Sequence, residues 1–146
     1  MTSQNTELVQ PNVEPMTISR KSVWAGRVLS GLVVAFLLFD GVIKLVPLQV
    51  VLDSVKQLGW PNDVDTARLL GLLTLASTII YAIPRTSVLG AILLTGYLGG
   101  AIATHLRIGS PLFTHILFGA YLGIMLWGGL WLRDPRLRAL FPIRLI

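Results

Sequence analysis

Leu94-Thr95-Gly96-Tyr97-Leu98-Gly99-Gly100-Ala101-Ile102-Ala103-Thr104-His105-Leu106-Arg107 is the stretch that decides the fold. It is apolar enough for lipid, carries glycines at helix-packing intervals and ends in two ionisable side chains, His105 and Arg107. Such a helix is built to press closely on neighbours while holding polar groups at one end. Outward from it, no Lys, Arg, Asp or Glu interrupts the chain between Arg27 and Asp40, Arg68 and Arg85, Arg85 and Arg107, or Arg107 and Arg133. A helix needs roughly 20 predominantly apolar residues to cross the hydrocarbon core. The chain therefore reads as all-α: an integral membrane, up-down four-helix bundle with spans near residues 24–46, 67–83, 88–106 and 112–132.

Composition agrees. Of 146 residues, 53% are hydrophobic and 13% charged, where soluble domains carry about 25% charged residues. Mean hydropathy is +0.72. The net charge of +5 comes mainly from basic residues beside the spans, where they orient the protein and meet anionic headgroups. That placement excludes nucleic-acid binding. The absence of cysteine excludes disulfides, thiol redox chemistry and an iron–sulfur cluster held by this chain alone.

Residues 1–19 are polar, with Pro11 and Pro15, and read as a mobile tail before a single membrane domain over 20–146 that ends in a basic C-terminal tail. Arg20-Lys21 and the apolar run behind them resemble the first two regions of a signal peptide. Asp40 and Lys44 follow without a small-residue cleavage pattern, so the first span is expected to stay. Pro47, Pro61, Pro84, Pro111 and Pro135 all fall outside the spans, as helix ends require. The short connections 84–87 and 107–111 force antiparallel neighbours.

Arg20, Lys21, Arg27, Arg85, Arg133, Arg136, Arg138 and Arg144 share one side; Lys44, Lys56, Arg68 and Arg107 share the other. The positive-inside rule then puts both termini in the cytoplasm. Trp24, Trp127 and Trp131 suit an aromatic belt near that face, and Trp60 and Phe113 the opposite one. In the longest connection, 47–66, Leu48, Val51, Leu52, Val55 and Leu58 form an apolar stripe before the stop signals Gly59 and Pro61. This predicts a short amphipathic helix on the outer membrane surface, as a cover for the bundle end or a lid over a pocket.

In the third span Ala91, Thr95, Gly99 and Ala103 form one small-residue row, and Gly96, Gly100 and Thr104 the next; the fourth adds Gly119 and Gly123. Helix packing accounts for these glycines, and none is assigned to chemistry. Asp40 and Lys44 stand at i, i+4 on one helical face and can pair. Lys44 can also snorkel to headgroups, whereas Asp40 lies one turn deeper, where an ionisable residue is costly and faces the bundle interior. His105 ends the third span and His115 begins the fourth, so the intervening turn brings both to the depth of Lys44. Tyr97, Ala101, Thr104 and His105 share a stripe, while Thr114 and Tyr121 share a face from which His115 is rotated.

Histidine at such a place shuttles protons, hydrogen-bonds a carbonyl, or sits inertly at the interface. Two histidines and one carboxylate from different helices make no recognisable metal or haem ligand spacing, so no metal site is assigned. The phosphate-binding, nucleophile-elbow and His-Glu-x-x-His templates are all absent.

At these residues the chain resembles the DoxX-like family of small four-helix bacterial membrane proteins. The likeness is carried by Phe39-Asp40-Gly41-Val42-Ile43-Lys44-Leu45, Leu58-Gly59-Trp60-Pro61, Tyr81-Ala82-Ile83-Pro84-Arg85-Thr86, and Gly96 to Ala101 through Thr104-His105-Leu106-Arg107. The resemblance implies a bacterial inner-membrane protein, usually without an assigned activity. The family's namesake is similar to a subunit of a thiosulfate:quinone oxidoreductase, which brings quinone into consideration as a ligand. Thiosulfate oxidation is not carried over, because nothing in this sequence identifies a sulfur site.

The expectation is an outward-facing polar pocket formed by Asp40, Lys44, Tyr97, Thr104, His105, Arg107 and His115, binding a small lipophilic or anionic molecule such as quinone, or partnering a redox enzyme. Gly96, Gly99, Gly100, Ala103, Gly119 and Gly123 are assigned to helix packing. A non-enzymatic accessory subunit or assembly factor, working through those surfaces with a membrane protein partner or a second copy, is the competing class. Small-solute transport ranks below both, since four short spans without inverted repeats make a poor alternating-access machine.

Overall fold

The computed structural model describes residues 18–46, 48–61 and 63–140. The tail expected over 1–19 falls, apart from its last two residues, outside the described residues, as do Pro47 and Arg144. Helix α1 spans Arg20–Leu45, α2 Gln49–Gln57, α3 Val64–Ala82 and α4 Ser87–Arg107. A π-helical turn, Leu112–Ile116, leads into α5, Leu117–Arg133, and α6 covers Pro135–Leu140. Four of these helical segments are long and apolar enough to cross a membrane: Arg20–Leu45, Val64–Ala82, Ser87–Arg107 and Leu112–Arg133.

Helix starts follow from local capping. Ser19 Oγ accepts from the Ser22 amide at 3.2 Å at the head of α1, and Asp63 Oδ1 accepts from the Thr66 amide at 2.6 Å before α3. Each satisfies a donor with no partner inside its helix. Helices α2 and α4 both end in a glycine with left-handed backbone, Gly59 (φ 78°) and Gly109 (φ 68°). In each case the glycine amide and the next amide fold back onto the last turn: Gly59 to Lys56 and Trp60 to Val55, Gly109 to Leu106 and Ser110 to His105. These are Schellman ends, and they reverse the chain within a few residues.

The spans form a square. α1 packs on α3 and α5, and α4 packs on the same two from the opposite corner. Where lipid removes the hydrophobic incentive, close backbone approach holds helices together. A Cβ on Gly26 would stand 2.7 Å from the Gly129 carbonyl, and one on Gly71 2.8 Å from the Gly41 carbonyl. A Cβ on Gly90 would meet the Tyr81 backbone at 2.2 Å, and one on Gly119 would meet Ile102 at 2.9 Å. A core of Val33, Leu37, Leu94, Leu126 and Leu130 fills the space between the helices, while many other large apolar side chains point outward: Trp24 is 69% exposed and Ile124 71%.

The packing assignment from sequence needs correction here. Of the small residues singled out, Gly119 is a close-approach position. At Gly96, Gly99, Gly100 and Gly123 an added Cβ would meet nothing within 4 Å, and Ala103 is exposed. The close crossings are also made by Gly26, Gly41, Gly71, Gly90 and Gly129, none of which belongs to those small-residue rows.

At the end bearing the start of α1 and α6, called the terminal end, a polar knot joins three helices. The fully buried Tyr81 donates to the Leu126 carbonyl at 2.9 Å and shares a 2.9 Å hydrogen bond with Ser30. The Arg133 guanidinium lies over the Tyr81 ring, 5.5 Å from its centre. Arg138 reaches back to Ser22 Oγ and to the carbonyls of Trp131 and Leu132. α6 is thereby tied to the ends of α1 and α5.

Candidate functional site

The opposite, connector end of the bundle is hollow. A cavity of about 950 Å³ opens between α1, α2, α4 and the π-helical turn with the start of α5. Apolar residues, among them Leu37, Ile43, Val51, Leu98 and Leu122, form most of its wall. Six of the seven side chains expected in a pocket line it: Asp40, Lys44, Tyr97, Thr104, His105 and His115. The seventh does not. Arg107 turns away and donates through Nη2 to the Leu58 carbonyl at 2.8 Å. That carbonyl belongs to the C-terminal end of α2, where unpaired carbonyls favour a cation, so Arg107 fastens α2 down. Gly59 makes room for it: a Cβ there would come within 2.6 Å of the guanidinium.

Each polar group is positioned by its element. Lys44 Nζ pairs with Asp40 Oδ2 one turn away on α1, and their side chains keep 19% and 30% of their surface. The ammonium has three donors and this pairing uses one. The Schellman turn after α4 brings Ser110 Oγ to His105 Nδ1, 3.0 Å away. His115 Nδ1 meets Thr114 Oγ1 at 2.8 Å, inside a turn begun by Pro111, whose carbonyl accepts from both the His115 and Ile116 amides. The imidazole rings meet edge to face, centroids 5.4 Å apart. With both Nδ1 atoms engaged, the Nε2 atoms have no partner among the described residues. Tyr97 likewise makes no hydrogen bond among the described residues, whereas Thr104 spends its hydroxyl on the Gly100 carbonyl at 2.8 Å.

Gly96 and Gly100, expected in a helix crossing, line the cavity with no atom near a would-be Cβ. Their role is to leave space. The predicted amphipathic helix is α2; Val51 and Val55 cluster with Ala67, Ile43 and Leu52, and the helix forms one wall of the cavity. Sequence reasoning missed Ser54, Gln57, Trp60 and Ser110 as lining residues. Ser110 was recoverable: a Gly-Ser-Pro after a helix, with histidine five residues before the serine, is the pattern of a Schellman end folding back. Among the described residues no three His, Cys, Asp or Glu side chains stand together as a metal site would need.

The sequence profile of the DoxX-like family matches residues 28–129, from within α1 to near the end of α5. The chain belongs to the DoxX-like family. No curated protein and no solved structure matches it. The matched segment holds all the cavity-lining residues of this DoxX-like protein together with Gly41, Gly71 and Gly129, so it takes in hollow end and tight crossings alike.

Proposed function

We propose that this DoxX-like protein is a small-molecule-binding protein of the bacterial inner membrane, with both termini cytoplasmic and the cavity facing outward. The excess of basic residues at the terminal end supports that orientation. One observation carries the binding reading: an apolar cavity of about 950 Å³ lined by a few polar side chains, with Lys44, His105 and His115 toward the connector end and Tyr97 deeper along α4. Ligand pockets are concave, mostly apolar and equipped with a few convergent polar groups. Lys44 Nζ and the Tyr97 hydroxyl offer donors, and each histidine offers Nε2 as donor or acceptor according to its tautomer. Such a set suits a flat carbonyl-bearing head such as a quinone. If electrons pass, the same groups hold its oxygens and exchange protons with them, while Asp40 keeps Lys44 oriented.

Titration of the purified protein with decylubiquinone, followed by difference absorbance, tests this reading. Lys44→Ala and His105→Ala should each weaken binding about 10-fold, as expected for losing a hydrogen bond from a charged or polar donor. Binding of equal strength in wild type and both variants would sink it.

A second reading has its own support. An added Cβ at Gly99 or Gly123 would meet nothing within 4 Å among the described residues, which leaves a face on which an accessory subunit or a second copy can seat. A stoichiometric partner that co-purifies with the wild type, is lost on Gly99→Leu and survives Lys44→Ala, would favour that role.

A further inference from the structure

Helices α1 and α5 meet unevenly along their length. At the terminal end Gly26 and Gly129 bring the backbones together, and Ser22 Oγ donates to the Leu132 carbonyl at 3.1 Å. Toward the connector end the rings of Phe36 and Phe118 meet edge to face, centroids 5.3 Å apart. Past that pair the helices part. The π-helical turn that prolongs α5 packs on α4, and Asp40, Ile43 and Lys44 line the cavity.

Phe36 and Phe118 line the cavity too, yet they are 40% and 41% exposed, so they stand at its rim. Phe39 and Phe113, on the same two segments, are 67% and 72% exposed. Phe36 lies eight residues from Lys44, so at 1.5 Å per residue the rim reaches about 12 Å further along α1 than the ammonium. With Lys44 near the headgroups, that depth is hydrocarbon. The connector end itself is crossed by α2, whose last turn Arg107 fastens to α4.

We propose that the gap between α1 and α5, with Phe36 and Phe118 as its sill, is a lateral mouth that loads the cavity from the bilayer. Its occupant is then a lipid-tailed molecule with an acceptor-rich, carbonyl-type head. The head reaches Lys44 and His105, Tyr97 stands about 12 Å deeper along α4, and the tail leaves over the two phenylalanines into the acyl chains. The chemistry is matched at both ends: donors gather where the head lies, and the rim is aromatic and apolar where the tail must pass. The inference rests on the cavity being a ligand site, but the route is open to test without any quinone.

The chain has no native cysteine, so a bimane fluorophore can be placed on Ala101→Cys in the cavity wall, or on the exposed Ala103→Cys as an outside control. The full chain is reconstituted in phosphatidylcholine vesicles containing a lipid with a nitroxide on its acyl chain. That lipid quenches on contact and reaches position 101 only through the bilayer. Quenching at 101 should rise about twofold when Phe36→Ala and Phe118→Ala remove the sill, two side chains that each cover 150–250 Å². Quenching at 103 should stay unchanged, which also reports an intact bundle. If the double alanine variant fails to fold, Phe36→Leu with Phe118→Leu should move 101 in the same direction. A cavity signal insensitive to both changes overturns the proposal. So does stronger quenching at 101 by a charged, water-soluble nitroxide, which would mean loading from water. Lipid access with no quinone binding would fault the assigned head chemistry and leave the mouth; quinone binding without lipid access would do the reverse.

Discussion

At the scale of single residues, the ion pair and the tyrosine knot invite opposite experiments. Lys44 and Asp40 neutralise each other within one helix. Lys44→Ala strands a half-buried carboxylate, whereas Lys44→Met with Asp40→Asn removes both charges, so the double variant should be the more stable. A coupling of about 1 kcal/mol between the sites is expected for a partly exposed pair, read from a double-mutant cycle of thermal melts in detergent. Tyr81 has no such neutral exit, because its hydroxyl holds Ser30 on α1 and the Leu126 carbonyl on α5 at once. Tyr81→Phe should cost about 1–2 kcal/mol in the same melts, as interhelical hydrogen bonds in membrane proteins do. Ser30→Ala should lower stability less, since Tyr81 keeps its carbonyl acceptor.

At the scale of elements, glycine substitutions separate crossings from hollows. Gly71→Val drives a branched side chain into the Gly41 carbonyl and Lys44 and should cost about 3 kcal/mol or more, or abolish folding. Gly99→Ala meets nothing within 4 Å among the described residues and, by improving helix propensity, should be neutral or stabilising by up to about 1 kcal/mol. Loss of stability at Gly99 would instead mark a second chain on that face.

The four spans were legible because charge-free runs and excluded prolines leave few other arrangements. The function of their glycines was not. Glycine spacing reads the same whether a helix face meets a backbone, as at Gly119, or an empty wall, as at Gly96 and Gly100. Gly41 and Gly71 belong to none of the small-residue rows singled out, and their meeting depends on how α1 and α3 rotate against each other. Depth was easier: the antiparallel turn had to bring His105 and His115 together. Rotation was harder, so Arg107, two residues past His105, was wrongly placed in the pocket when it points to α2.

At the scale of the whole molecule, the bundle is tight at one end and hollow at the other. The terminal end has the Gly26–Gly129 crossing, the Tyr81 knot and the Arg138 clasp; at the connector end Gly41–Gly71 still joins α1 to α3 and Arg68 bonds the Leu45 carbonyl, but the cover helix α2 is pinned at its last turn by Arg107. Local opening should therefore concentrate at the connector end. Arg107→Gln should speed backbone hydrogen exchange across residues 48–60 about 10-fold, the effect of losing roughly 1.4 kcal/mol from one charge-assisted hydrogen bond, while exchange near Tyr81 stays unchanged. Equal acceleration at both ends would mean that Arg107 supports the fold as a whole.

The order in which the chain emerges gives the Asp40–Lys44 pair a meaning beyond the finished protein. α3 and α4 form a hairpin whose backbones touch at Tyr81 and Gly90, nine residues apart, so they can enter the bilayer as a unit. α1 has no such company, since both helices it packs on, α3 and α5, are made after it. During synthesis it must stand alone in lipid, where an unpaired aspartate costs about 2.5–3.5 kcal/mol at a helix centre and less at the depth of Asp40, five residues from the end of α1. A lysine one turn along supplies the missing charge from within the same helix. The first span thus carries its own counter-ion across the interval before any partner exists.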